Sequence, residues 1–105
     1  MTKKKMDHLY DCFQSLEDNE LILDVRSAEE YAEGHVPKSE NIPYQDLQNH
    51  VEKLNKYTKI YIYCRLGGRA QRASEILNSL GITTQFCIDD SGMEYWIEKG
   101  YPVLK

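Results

Sequence analysis

The stretch IYIYCRLGGRAQRASEIL, from Ile60 to Leu77, decides how the chain folds. It opens with β-branched and aromatic residues that predict a buried strand, and it closes with apolar residues at helical spacing. Between the two lie a cysteine, two arginines and two glycines. The stretch therefore predicts a strand that runs through a short turn into a helix, with the thiol of Cys64 at the junction.

Outward from this stretch, strand and helix signals alternate along the chain. Further strands are predicted at LILDV (Leu21–Val25) and at TTQFCI (Thr83–Ile88), with a minimal strand near Asn41–Ile42. Alternating strands and helices form right-handed βαβ units, so we predict an α/β fold with a small parallel sheet flanked by helices on both faces. Such folds bind ligands beyond the carboxyl ends of the strands, where Cys64 is expected.

Five helices are predicted. The first covers residues 7–17, and the second spans Ala28–Glu33 behind a capping box of Ser27 and Glu30, with Gly34 at its end. The other three show apolar residues at helical spacing. These residues are Leu47, Val51 and Leu54; Ala70, Ala73, Ile76, Leu77 and Leu80; and Met93, Trp96 and Ile97.

Length and composition limit the class of protein. A chain of 105 residues suits one domain with a single hydrophobic core. Its apolar fraction of 41% and charged fraction of 29% are typical of a globular protein and not of a disordered one. The net charge of −4 gives no reason to expect nucleic acid or a membrane as a partner, and no apolar run is long enough to span a bilayer.

The N-terminus is predicted to be a flexible basic tail over residues 1–5, followed by a single domain over residues 6–105. Its lysines resemble the start of a secretion signal, but Asp7, His8 and Asp11 interrupt the apolar segment that such a signal requires. We expect an edge strand in this region to be short or absent.

The cysteines indicate the redox environment. Cys12, Cys64 and Cys87 are an odd number and lack the spacing of metal ligands. Free thiols in a reducing cytoplasm are therefore favoured over a disulfide framework or a zinc site, and we expect a cytoplasmic protein.

The residues that follow Cys64 predict an activated thiol. The next helix directs its N-terminal N–H groups and its positive dipole end towards the turn. Gly67 and Gly68 allow successive amides to point inwards as an anion-binding nest, and Arg65 and Arg69 add positive charge. A strand cysteine alone is more often a core residue. In this setting, we interpret Cys64 as a nucleophile that ionises more readily than the other two thiols.

Three stretches carry a wider similarity. The first in the chain is LILDVRSAEEYAEGHVP (Leu21–Pro37), which is followed by NIP. The second is CRLGGR (Cys64–Arg69), which has the form C-R-x-G-x-R. The third is SGMEYWIEKGYPV (Ser91–Val103), near the end of the sequence. In this order they resemble the signatures of the single-domain rhodanese-like sulfurtransferases, over nearly the whole chain. Lys38 and Ser39 depart from the pattern, since Gly-Ala is usual there.

The resemblance implies a rhodanese fold and a defined activity. The enzyme would move a sulfane sulfur from thiosulfate or a persulfide donor to cyanide, a thiol or a thiol protein, and Cys64 would carry the sulfur as a persulfide. No metal and no organic cofactor are implied. The substrate-binding residues implied by the resemblance are Arg65, Leu66, Gly67, Gly68 and Arg69.

Two other functions are considered. Cysteine phosphatases of the same fold class have one residue more between cysteine and arginine than the four between Cys64 and Arg69. The shorter loop fits a sulfur atom or a small sulfur oxyanion better than a phosphate, although Asp89 or Asp90 could serve as a general acid. The other alternative is a non-catalytic rhodanese-like binding module, but such modules usually lack the cysteine.

The remaining polar candidates have simpler structural interpretations. Asp24 and Arg26 are expected to form an ion pair or to cap a helix, and His35 is expected to bond to the backbone in a turn. Cys12 is expected to be inert. Cys87 ends a strand that the topology implied by the resemblance would place beside that of Cys64, so a role in resolving the persulfide stays open. A buried core cysteine is nevertheless favoured.

Overall fold

The computed structural model describes residues 2–105 and contains one parallel sheet. Its strands are β1 (Thr2–Lys3), β2 (Glu20–Asp24), β3 (Ser39–Asn41), β4 (Lys59–Tyr63) and β5 (Gln85–Cys87). They lie in the order β1-β5-β4-β2-β3, and every neighbouring pair is parallel. The predicted parallel α/β architecture is confirmed.

The helices are α1 (Met6–Cys12), α2 (Ala28–Glu33), α3 (Val51–Leu54), α4 (Gly68–Ser79) and α5 (Met93–Glu98). The predicted bounds of α2 are confirmed, whereas the first and third helices are shorter than the sequence patterns predict. The first predicted helix continues as a 3-10 turn at Phe13–Ser15, and Tyr44–His50 forms a second 3-10 segment before α3. None of the helices within residues 2–105 has the length and apolar composition that crossing a bilayer requires.

Alternating side chains of the two central strands build a core on each face of the sheet. Leu21 and Leu23 pack with α3 and α4 on one face, whereas Ile22 packs with α1 and α5 on the other. Along β4, Ile62 and Tyr63 divide in the same way. Because side chains alternate along a strand, strands that are apolar throughout require helices on both faces, as predicted.

The N-terminus differs from the predicted flexible tail. Thr2–Lys3 forms a two-residue edge strand beside β5, and the Lys4 N–H continues the pairing with a 3.0 Å hydrogen bond to the Cys87 carbonyl. Lys3 Nζ also lies 2.8 Å from Asp89. Strand pairing uses the backbone, so a lysine-rich segment can form an edge strand without an apolar pattern. Met1, which the predicted tail includes, lies outside the described residues.

Individual residues shape the turns on either side of α2. The capping box is present, because the Ser27 hydroxyl accepts a hydrogen bond from the Glu30 N–H and the Glu30 carboxylate accepts one from the Ser27 N–H. Lys38, which stands where glycine is usual, has a φ of 72°. This φ lies in the left-handed region, which lysine adopts less readily than glycine.

A buried polar network lies beneath the carboxyl ends of the strands. Asp24 and Arg26 form the expected ion pair, with Arg26 Nη2 2.8 Å from Asp24 Oδ2 and both residues buried. The Tyr63 hydroxyl donates to the same carboxylate at 2.7 Å, and burial raises the pKa of this tyrosine. His35 Nδ1 lies 2.8 Å from the Tyr31 carbonyl, so this histidine bonds to the backbone as predicted.

Candidate functional site

Cys64 directly follows β4 and is buried in the turn before α4, with 1% of its surface exposed. Its Sγ accepts hydrogen bonds from the backbone N–H groups of Gly67 at 3.0 Å and Ala70 at 3.3 Å. Gly67 caps the N-terminus of α4 and Ala70 lies in its first turn, so two N–H groups that lack partners within the helix face the sulfur. Such donors stabilise a charged acceptor more than a neutral one, so this turn suits a sulfur atom that carries negative charge.

Two glycines allow the turn to close around Cys64. Gly67 has a φ of 117°, and a Cβ there would overlap the carbonyl oxygen of Asp89. A Cβ at Gly92 would overlap the carbonyl oxygens of Cys64 and Arg65. At both positions only the absence of a side chain permits the contact between the backbones. The backbone of the loop is thus fixed by the segment that joins β5 to α5.

The start of α5 holds the other side of the loop. The Met93 N–H donates to the Cys64 carbonyl at 2.8 Å, and the Glu94 N–H donates to the Arg65 carbonyl at 3.4 Å. These N–H groups lack partners within their own helix, so the loop carbonyls satisfy them. The loop that contains Cys64 is therefore attached at one end to α4 and along its back to α5.

Both arginines of the loop are paired with carboxylates. The Arg69 guanidinium donates two hydrogen bonds to Glu30, at 2.6 and 2.9 Å, and these bonds, more than any other interaction, lower the pKa of Glu30 to about 2. Arg65 pairs with Glu94 at 3.0 Å on the surface. The sequence predicts that both arginines add positive charge to the site, and in the structure each charge is balanced by a carboxylate.

The structure adds one residue to the predicted loop, and it places the side chain of another in solvent. Ala70 donates to Sγ, although the sequence motif ends at Arg69. The third residue of a helix carries an unpaired N–H, and this rule could have predicted its role. Leu66 is 62% exposed and points away from the core. Gly68 begins α4, and a Cβ there would meet open space.

The other two cysteines lie in less reactive settings. Cys87 is buried in β5, opposite Ile62 and therefore two positions short of Cys64, and burial raises the pKa of its thiol. Cys12 is half-buried at the end of α1, and desolvation also raises the pKa of its thiol. A raised pKa leaves less thiolate at neutral pH, so the surroundings of these two cysteines do not activate their thiols.

A cleft of about 340 Å³ opens beside the loop, between α2 and α5. Arg65 and Met93 line it on the side of the loop, and Glu33 and Ile97 line it on the sides of the two helices. Because Met93 is bonded to the Cys64 carbonyl, the cleft lies next to the turn that surrounds the sulfur. A molecule bound there would be adjacent to the Cys64 loop.

Comparison with known proteins identifies related sequences and structures. Residues 9–99 match the family model described as "Rhodanese-like domain". The chain is 36% identical, over 78% of its length, to "Adenylyltransferase and sulfurtransferase uba4" of Ogataea parapolymorpha, but it spans only 22% of that protein. It is 34% identical to "Putative sulfurtransferase YtwF" of Bacillus subtilis, with 75% of this chain and 76% of that protein covered.

A solved structure shows the same fold over its full length. The rhodanese-related protein of Thermoplasma volcanium superposes with a TM-score of 0.79 at 30% identity, covering 99% of this chain and 98% of that one. Since the family model also covers most of the sequence, the chain belongs to the rhodanese-like family.

Proposed function

We propose that the protein is a sulfurtransferase that carries sulfane sulfur on Cys64. The observation that carries this proposal is the pair of backbone N–H groups, from Gly67 and Ala70, that point at Sγ from the start of α4. The names of two relatives as sulfurtransferases support the same class of reaction.

In the first half-reaction the Cys64 thiolate attacks the outer sulfur of thiosulfate. A bond forms between Sγ and that sulfur, the bond between the two sulfurs of thiosulfate breaks, and sulfite leaves with the electron pair. Cys64 is then a persulfide whose negative charge is on the outer sulfur. A persulfide donor would react in the same way, with a thiolate in place of sulfite as the leaving group.

In the second half-reaction a nucleophile attacks the outer sulfur of the persulfide. Cyanide leaves as thiocyanate, or a thiolate becomes a persulfide, and the Cys64 thiolate is restored. No net oxidation occurs and no cofactor is needed. We also propose a cytoplasmic location, because Cys64 must be reduced to react and the cytoplasm keeps thiols reduced.

The loop is suited to hold the charge of the outer sulfur. The N–H groups of Leu66, Gly68 and Arg69 have no hydrogen-bond acceptor among residues 2–105. Preorganised N–H donors stabilise a charge that develops during the reaction without having to reorganise. Arg69 contributes by anchoring the start of α4 to Glu30, and Arg65 remains on the exposed rim of the loop.

The test is the intact mass of the protein before and after incubation with thiosulfate or with cysteine persulfide. We expect a gain of one sulfur atom in the wild type, its removal by cyanide or by a reductant, and no gain in Cys64→Ser. Cys12→Ser and Cys87→Ser are the matched controls and should keep the gain, because burial disfavours the thiolate at both positions.

Two results would contradict the proposal. A Cys64→Ser variant that still loads sulfur and turns over thiosulfate with cyanide would exclude Cys64 as the carrier. A wild-type protein that takes up no sulfur from either donor but hydrolyses an aryl phosphate efficiently would belong to the phosphatase class instead. We expect negligible hydrolysis of p-nitrophenyl phosphate.

A further inference from the structure

The mouth of the cleft presents apolar side chains to solvent. Five large hydrophobic residues are exposed within residues 2–105, and two of them, Leu66 and Ile97, belong to the loop and the helix that frame the cleft. Their exposed fractions are 62% and 57%. Exposed apolar side chains beside a reactive group are typical of surfaces that contact another molecule.

The same mouth carries net negative charge. Each of the three arginines near it is paired with a carboxylate, through Asp24, Glu30 and Glu94. Glu33, which lines the cleft, has no ion-pair partner within residues 2–105. Glu98 lies one helical turn beyond Glu94, on the same side of α5, and it too is unpaired in the described part of the chain.

Exposed apolar side chains together with negative charge favour one class of sulfur substrate over another. A free dianion such as thiosulfate gains no attraction from a mouth whose cations are neutralised and whose remaining charges are negative. A polypeptide with lysine or arginine side chains gains attraction from Glu33 and Glu98 and can cover Leu66 and Ile97. Because Cys64 is only 1% exposed, the polypeptide must reach it with a projecting segment.

We propose that Leu66, Ile97, Glu33 and Glu98 form a docking surface for a protein partner that presents its sulfur-bearing cysteine among basic side chains. The partner's cysteine takes up the sulfur: its thiolate attacks the outer sulfur of the Cys64 persulfide, the bond between Sγ and that sulfur breaks, and the Cys64 thiolate leaves. Meanwhile the partner's basic residues contact the carboxylates and its apolar residues cover the two exposed side chains. This inference rests on the proposed function, since it assigns the partner of the same thiol.

The test uses two synthetic peptides that differ only in the residues around one central cysteine, which are lysines in one and glutamates in the other. The protein is first loaded with sulfur from cysteine persulfide, and its transfer to each peptide is followed by mass. Flanking charge also alters the reactivity of the peptide's own thiol. Each transfer rate is therefore divided by the rate at which the same peptide takes sulfur from a free small-molecule persulfide. We expect a preference of about tenfold for the basic peptide, which falls at high salt.

Two variants and one control variant locate the surface. Glu33→Lys should lower the preference by about threefold or more, since it reverses the charge nearest the cleft. Glu52→Lys, which makes the same change on the distant α3, should keep the wild-type preference. Ile97→Ser should raise KM about threefold for both peptides, because the apolar contact does not depend on charge.

Failure of the proposed function and failure of the docking surface would give different results. A protein that never loads sulfur contradicts the proposed function itself. A protein that loads sulfur but transfers it equally to both peptides, or that keeps its preference in Glu33→Lys, overturns the docking surface alone. The surface would also be reassigned, as an interface between two copies of this chain, if the wild type sediments as a dimer and Ile97→Ser as a monomer.

Discussion

Individual backbone positions determine the shape of the Cys64 loop. Gly67 has a left-handed conformation and touches the backbone of Asp89, whereas its neighbour Gly68 has room for a side chain. The two glycines are adjacent in the sequence, yet only Gly67 is required by the geometry. Adjacent positions with opposite requirements provide a matched pair for mutagenesis.

Gly67→Ala should lower the free energy of unfolding by at least about 2 kcal/mol, because it combines an unfavourable φ with a steric overlap. It should also reduce sulfur loading, since the Gly67 N–H would move away from Sγ. Gly68→Ala should change stability by no more than about 0.5 kcal/mol. Chemical denaturation and intact mass measure both effects.

Equal losses in the two variants would show that the contact with Asp89 does not limit the loop. In that case the glycines would act through chain flexibility and not through fit. A loss in Gly68→Ala alone would contradict the geometry directly, because a Cβ at that position meets open space.

At the scale of elements, α2 and α4 are joined by one carboxylate. Glu30 accepts hydrogen bonds from Ser27 in the capping box that begins α2, and it also binds the Arg69 guanidinium near the start of α4. The pKa of Glu30 is lowered from 4.5 to about 2, with the Arg69 hydrogen bond as the largest cause. A carboxyl group whose pKa falls on folding stabilises the protein most above its usual pKa.

Glu30→Gln should therefore destabilise the protein by about 0.5 to 1 kcal/mol at pH 7, since glutamine keeps the capping role but loses the ion pair. The difference from wild type should be complete above pH 4.5 and should shrink as the pH falls towards about 2, where the wild-type carboxyl becomes protonated. Glu29→Gln is the control, because it removes a charge from the same helical turn without breaking an ion pair. A pH series of denaturation curves measures both variants.

If Glu29→Gln destabilised the protein as much as Glu30→Gln, the helix dipole and not Arg69 would be the source of the effect. A difference that stayed constant from pH 7 to pH 2 would rule out the ion pair as its origin, since the pair cannot survive protonation of its carboxyl group.

The elements also show what the sequence could predict. The central strands follow from apolar runs, and the start of α2 from Ser27 and Glu30, because these signals are local. The partners of the arginines were not predictable in the same way. Arg69 and Glu30 lie 39 positions apart, and Arg65 and Glu94 lie 29 apart. Such pairs depend on how helices are oriented around the sheet, which no local pattern specifies.

At the scale of the whole molecule, the beginning and the end of the chain are held together by a shared carboxylate. Asp7 on α1 accepts hydrogen bonds from the hydroxyl groups of Tyr95, at 2.8 and 2.9 Å, and Tyr101, at 2.7 Å. Tyr10 stacks on Tyr101 with 3.8 Å between ring centroids. These bonds, that of Tyr101 first, lower the pKa of Asp7 below its usual 3.8.

Asp7→Asn should lower Tm at neutral pH, because both hydroxyl groups would exchange a charged acceptor for a neutral one. Since the pKa of Asp7 falls on folding, its contribution is complete above pH 3.8 and is lost as the pH falls below that value. The wild type and the variant should therefore converge in acid. Thermal unfolding across pH provides the measurement.

Asp11→Asn serves as the control, since it removes an exposed carboxylate close to the end of the same helix. It should leave Tm nearly unchanged at every pH. If both variants lowered Tm equally, net charge would explain the effect, and the hydrogen bonds between α1 and the C-terminal residues would be irrelevant to stability.

The attachment of the Cys64 loop to α5 has a consequence for the order of events during protein synthesis. When the ribosome has added Ala70, every residue that surrounds the sulfur exists, but the backbone groups that hold Cys64 and Arg65 from behind belong to Met93 and Glu94. The loop therefore stays incomplete while the following two dozen residues are translated. A nascent chain carries Cys64 well before the turn around it is complete, so the proposed sulfur transfer could begin only once α5 has left the exit tunnel and docked.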